Sequence, residues 1–125
     1  MPVINEWVVT PEVIEVEPIK GRRVYISGAI TNNPEAAAQF ARAHKWLIDE
    51  GAADVFNPMA AGVQVRRPGW THEQHMLADL HYLTSGYYDL LLQLPGWTES
   101  GGAQLERAVA DMCGIERQEW CHEAG

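Results

Sequence analysis

The feature that most constrains this chain is Tyr88-Asp89-Leu90-Leu91-Leu92-Gln93-Leu94, a nearly continuous apolar run that stops at Pro95-Gly96. A strand with one wet face alternates apolar and polar residues. An unbroken apolar run instead marks a strand covered on both faces, as in a parallel sheet. The next residues, Trp97-Thr98-Glu99-Ser100-Gly101-Gly102-Ala103, carry the chain into a helix that Ser100 is placed to cap. Helical spacing predicts an inner face of Leu105, Ala108, Val109 and Met112, with Gly114 as the stop and a last short strand from Ile115.

The upstream residues repeat this alternation. Arg23-Val24-Tyr25-Ile26-Ser27 reads as a strand ending at Gly28. Asn33 as cap, Pro34 at the first helical position and Glu35 open a helix whose inner face is read as Ala37, Phe40, Ala41, His44, Leu47 and Ile48, closed by Gly51. Asp54-Val55-Phe56-Asn57 is a second strand, stopped by Pro58. Residues 58–70 form a loop of functional length that contains Arg66-Arg67. Thr71 and Gln74 make a capping box for a helix over residues 71–83.

The pattern strand–helix–strand–helix–strand–helix–strand predicts an α/β fold with a parallel sheet of four to five strands in the order 2-1-3-4. Residues 1–20 stand apart as an arm: Trp7-Val8-Val9-Thr10 and Val13-Ile14-Glu15-Val16-Glu17 are β-like runs broken by Pro11 and Pro18. Any additional strand is expected at an edge and from this arm, leaving residues 21–125 as the domain. Ligands of such sheets bind beyond the carboxyl ends of the strands, which selects the loops after Ser27, Asn57 and Leu94.

With 125 residues, the chain has room for one domain of this kind. A formal charge of −8 argues against bulk nucleic-acid binding, which needs a basic stripe, but not against a small anion held by helix amides. No apolar run is long enough to span a bilayer, and Met1-Pro2-Val3-Ile4-Asn5-Glu6 lacks a signal-peptide pattern. Cys113 and Cys121 form no metal or disulfide framework. The expectation is a cytoplasmic protein with no membrane partner.

Chemistry concentrates in the third loop. Gly101 and Gly102 let a ligand approach the backbone, the first amides of the helix point at it, and Ser100 adds a hydroxyl. Glu106 lies six residues beyond Ser100, where its carboxylate can face the same ligand. A carboxylate beside a sugar can act as nucleophile and form a glycosyl intermediate. An ordinary dipole-complementing glutamate fits the same position, and the residues alone leave both readings open. Asp79, amid apolar neighbours, is either solvent-facing or aimed at the site. Tyr25 needs a partner for its hydroxyl if buried. His72 and His75 share a helix face. They are read as a solvated first turn with no metal, since the spacing differs from that of the metalloprotease helix. Trp70 and Trp97 flank the loops, where they either stack a base or pack.

Tyr25-Ile26-Ser27-Gly28, Asn57-Pro58, Trp70, Met76, Asp79-Leu80, and Leu94-Pro95-Gly96-Trp97 with Ser100, Gly102-Ala103, Glu106 and Ala110 together resemble the nucleoside 2-deoxyribosyltransferase superfamily. The likeness is greatest to a small phage and bacterial branch of unassigned function, and it covers about three quarters of the chain. The resemblance implies a flavodoxin-like three-layer sandwich that cleaves the N-glycosidic bond of a 2′-deoxynucleoside 5′-monophosphate, by hydrolysis or base exchange. It implies Glu106 as nucleophile, Tyr25 as the group orienting it, and Asp79 as the acid assisting at base or sugar. Ser100, with Gly101 and Gly102, would contact the 5′-phosphate, while Gly28, Ala29, Asn57 and Trp97 complete the substrate-binding set. No metal or organic cofactor is implied, and a homodimer or larger homo-oligomer is. The alternative is a protein that binds or sequesters a nucleotide without turning it over, because a fold never proves an activity.

Overall fold

The computed structural model describes residues 19–60 and 69–121. Its elements, in chain order, are β1 (Arg23–Ser27), α1 (Ala36–Asp49), β2 (Asp54–Phe56), α2 (His72–Leu83), β3 (Leu90–Gln93), α3 (Gly101–Met112) and β4 (Glu116–Glu119). The strands form one parallel sheet in the order β2-β1-β3-β4, which is the expected 2-1-3-4. The register sets Tyr25 beside Phe56 and Leu91, and Ser27 beside Gln93.

Side-chain alternation assigns the two faces. Val24, Ile26, Leu90 and Leu92 join Phe40, Ala43 and Leu47 of α1 in one buried cluster. Tyr25, Phe56 and Leu91 join Leu83 of α2 and Ala110 of α3 in the other. Every residue of β3 is buried, which is why its sequence does not alternate. The result is a flavodoxin-like three-layer α/β sandwich.

Five helical and strand details differ from expectation. In α1 the buried stripe is Ala36, Phe40, Ala43 and Leu47, while Ala37, Ala41 and Ile48 face outward. Alanines fit either side of a helix, so its wheel is ambiguous until Phe40 and Leu47 are seated. Asn33 acts before the helix: its Oδ1 accepts from the Glu35 amide and its carbonyl from the Ala36 amide, both at 3.1 Å, so regular helix begins at Ala36. In α3 the buried stripe is Ala103, Glu106 and Ala110; Leu105, Ala108 and Met112 are exposed and Val109 is half-buried. Hydrogen bonds to Glu106 set that rotation. Finally, β2 ends at Phe56 rather than Asn57, and β4 begins at Glu116 rather than Ile115.

The capping expectations at Thr71 and Ser100 hold, while that at Asn33 does not. Thr71 Oγ1 accepts from the Gln74 amide at 3.1 Å, and the Gln74 side chain accepts from the Thr71 amide at 2.8 Å. Ser100 Oγ accepts from the Ala103 amide at 3.1 Å. Gly51 and Gly114 close α1 and α3 in left-handed conformations that glycine adopts without strain. Among the described residues, no helix is long and apolar enough to cross a membrane. Residues 1–18 of the expected arm over 1–20, and with them its expected strand, lie outside the described residues, as do Arg66 and Arg67.

Candidate active site

At the carboxyl ends of the strands a cleft of about 520 Å3 opens between three walls. One wall is the β1–α1 loop, residues 28–32. The second is α2, through His72, His75, Met76 and Asp79. The third is residues 99–103 with Glu106 of α3.

Glu106 is 5% exposed, and both its oxygens accept hydrogen bonds from β1. Tyr25 Oη donates to Oε2 at 2.6 Å and Ser27 Oγ donates to Oε1 at 2.6 Å. These separations are typical of a hydroxyl bound to a carboxylate. Tyr25 Oη also lies 3.3 Å from the Asp79 carbonyl, but it has one proton, and the shorter bond to Glu106 takes it. The phenol is itself clamped, stacked on Phe56 at 4.7 Å and edge-on to Tyr88 at 5.9 Å. The carboxylate is therefore held at two points by groups from a central strand.

This arrangement makes little sense as a stability device. Removing a carboxylate from water costs several kcal/mol even after relaxation. Two hydrogen bonds to a charged group return roughly 1.5–3 kcal/mol each, so burial at best breaks even where an alanine or leucine would cost nothing. Asp79 on α2 is also buried, at 4% exposure, and lines the same cleft.

The loop after β3 turns sharply. Gly96 adopts a left-handed conformation at φ 92°, and Trp97–Glu99 form a single 3-10 turn. Gln104 Nε2 donates to the Thr98 carbonyl and ties that turn to α3. Because Ser100 satisfies the Ala103 amide, the Gly101 and Gly102 amides are left at the helix start without an intrahelical acceptor. The glycines of the site differ in what requires them. A Cβ on Gly28 would sit 3.0 Å from Leu94 Cβ, and one on Gly102 would sit 3.1 Å from Met76 Sδ. Close packing accounts for both. At Gly101 a Cβ would meet nothing within 4 Å.

Glu106, Asp79, Ser100, Gly101, Gly102, Gly28 and Ala29 all line the cleft, and Tyr25 reaches it through Glu106. Asn57 and Trp97 are not among its lining residues. Asn57 is buried and occupied locally: its Oδ1 accepts from the Met59 amide at 2.9 Å, and its Nδ2 lies 3.2 Å from His44 Nδ1. Trp97 instead lies under the Arg107 guanidinium, 5.1 Å from ring centroid to Cζ. Trp70 packs against the His75 ring at 5.4 Å. His72 and His75, read as a solvated turn, both line the cleft. Among the described residues no cluster of His, Cys, Asp or Glu is suited to hold a metal.

Ser27 is a site residue that sequence reasoning missed, and Thr31 and Glu99 of the cleft lining are others. The available signal for Ser27 was its period-two spacing from Tyr25, which puts both hydroxyls on one face of β1.

The profile of a family described as "Domain of unknown function (DUF4406)" matches residues 22–117, a span that contains the whole sheet except the last residues of β4 and every side chain of the cleft. No curated protein and no solved structure matches the chain.

Proposed function

The chain belongs to the DUF4406 family, and we propose that this member cleaves the N-glycosidic bond of a 2′-deoxynucleoside 5′-monophosphate. The observation that carries the proposal is the buried Glu106 carboxylate, gripped by Tyr25 and Ser27 at the floor of a cleft that also holds Asp79 and the first amides of α3. In this reading a Glu106 oxygen attacks C1′ while the C1′–N bond breaks, and its electron pair goes to the departing base. Asp79 handles the proton that neutralises the base. Water, or a second base, then attacks C1′ from the opposite side, its proton passes to Asp79, and the bond from C1′ to the Glu106 oxygen breaks to release the carboxylate. Two displacements give net retention, and they need only the carboxylate, a proton carrier and an acceptor. The 5′-phosphate lies against Ser100 and the Gly101 and Gly102 amides.

The test is a mechanism-based adduct. Incubation with a 2′-fluorinated deoxynucleoside 5′-monophosphate should give a covalent mass increase on the peptide that contains Glu106, because fluorine slows release of the glycosyl intermediate. Release of free base from a panel of natural deoxynucleotides should accompany it. Binding across that panel with neither base release nor adduct would establish the sequestering alternative instead.

A homo-oligomer belongs to the same proposal. Leu77 of α2 and Leu105 and Met112 of α3 are 68%, 44% and 79% exposed, large apolar side chains of the kind that partners cover. Light scattering at micromolar concentration decides it, and a monomer would refute it.

A further inference from the structure

We propose that His72 and His75 supply the positive charge of the cleft and so set its preference for a 5′-phosphorylated substrate. This inference rests on reading the cleft as a deoxynucleotide site.

A phosphomonoester brings up to two negative charges into a cleft already lined by Asp79, Glu99 and Glu106. Neither lysine nor arginine is among the described residues that line it. The amides of Gly101 and Gly102 offer partial charges only, and Ser100 offers a neutral hydroxyl. His72 and His75 are the lining side chains able to carry a full positive charge.

Their placement suits that task. They stand three residues apart on one face of α2. The tight approach of Met76 to Gly102 brings this turn of α2 against the first turn of α3, where the free amides lie. His72 Nδ1 is 3.4 Å from Thr31 Oγ1 of the β1–α1 loop, a contact between two walls of the cleft that engages Nδ1 and not Nε2. His75 is half-buried with its ring against Trp70. Among the described residues that line the cleft, the titratable groups beside the pair are Asp79 from their own helix, Glu99 from the turn before α3, and Glu106 from α3; residues 28–32 contribute none. Imidazole charge changes between about pH 5 and 8, so phosphate preference should be strong in mild acid and weaken as pH rises.

The phosphate itself also titrates in that range, so the decisive probe is a 5′-sulfate ester, whose single charge is constant. Affinities of deoxynucleosides, their 5′-sulfates and their 5′-monophosphates are measured by calorimetry at about pH 5.5 and about pH 8. The full-length Glu106→Gln protein is used so that turnover does not interfere. The ratio of sulfate to nucleoside affinity should fall about ten-fold or more between those pH values, the loss expected for one hydrogen bond to a charged group. In His72→Gln/His75→Gln the ratio should be low and independent of pH. In the Glu106→Gln protein with both histidines intact, the sulfate ester should perturb the imidazole NMR signals of His72 and His75 but not those of His81.

A ratio that ignores pH, or that survives the double substitution, overturns the assignment. If Arg66→Gln/Arg67→Gln then abolishes the preference, the charge comes from the loop and the deoxynucleotide reading stands. Failure of every deoxynucleoside and deoxynucleotide to bind removes both.

Discussion

The two ends of the sheet use carboxylates in opposite ways. At the amino end, Arg22 Nε lies 3.1 Å from Asp89 Oδ1 and its Nη2 lies 2.5 Å from Glu116 Oε1. Arg23 lies 3.9 Å from Asp89 and stacks over Tyr87, 4.9 Å from the ring centroid, while Tyr87 Oη bonds Asp54 at 2.6 Å. Asp89 and Glu116 are partly solvated and neutralised by arginines. Burial works to lower the Arg22 pKa, but the hydrogen bonds and charges of Glu116 and Asp89 outweigh it and hold the guanidinium above its ordinary value. Such pairs stitch β1, β3 and β4 together for at most about 1 kcal/mol each. At the carboxyl end, Glu106 is buried and gripped by two neutral hydroxyls. The first arrangement keeps a fold in register. The second sacrifices stability for a carboxylate in a fixed place, which is the pattern expected where chemistry is done.

The sharpest way to break this contrast is Glu106→Gln. The amide keeps the shape of the side chain but not its anionic oxygens. The variant should fold and bind deoxynucleotide while base release falls by several orders of magnitude. Tyr25→Phe and Ser27→Ala should cost less, since each removes one of two constraints on the carboxylate. Quantifying free base by chromatography checks all three, and undiminished release by Glu106→Gln would reduce the buried acid to a structural oddity.

A smaller effect is expected at the cap. Ser100→Ala should weaken binding of a monophosphate about ten- to hundred-fold while nucleoside affinity changes much less. Some helix stability is lost as well, roughly 1 kcal/mol, because the Ala103 amide loses its acceptor. Calorimetric titration with both ligands separates the two consequences. Equal losses for both ligands would move the phosphate away from the start of α3.

How much of this was legible in the sequence follows the same division. The parallel order, the Thr71–Gln74 box, the Ser100 cap and the fully buried β3 depend on local chemistry, and all could be read from neighbouring residues. The inner face of α3 could not. Leu105, Ala108, Val109 and Met112 form the better apolar stripe, yet the helix turns Ala103, Glu106 and Ala110 inward. Hydrophobic periodicity assumes that the buried face is apolar, and it fails where a helix is oriented by a buried acid. Ser27 escaped for the related reason that a serine at the end of a strand looks like a turn residue until its partner across the layers is known. Asn57 and Trp97 erred the other way: both stand in the right loops, but their side chains are used in local packing.

Gln93 extends the contrast into stability. It is 1% exposed, sits in register with Ser27, and neither polar atom of its carboxamide finds a hydrogen-bond partner among the described residues. A buried amide left unpaired costs roughly 1–3 kcal/mol. Gln93→Leu, close in volume, should therefore raise stability by about that amount in denaturant unfolding, a gain no exposed ion pair at the amino end can match. A destabilised variant would mean that the amide is satisfied in solution.

The least effect is expected at the amino end, and only in alkali. Tyr88 precedes β3, and its phenol is pushed up to about 12, first by burial and then by the negative charges of Asp54 and the neighbouring tyrosines. Below about pH 10 the group is neutral in both folded and unfolded chains, so Tyr88→Phe should leave the pH dependence of stability unchanged there. Between about pH 10 and 12 the unfolded chain gives up this proton while the folded chain retains it, so the unfolded state is favoured and stability falls as pH rises. The phenylalanine variant lacks that proton and should lose less stability across the window. The gap will be modest because Tyr88 is only half-buried and solvent screens its neighbours. Urea midpoints collected from neutral pH to pH 12 measure it, and parallel curves for the two proteins would show that Tyr88 titrates like a tyrosine in water.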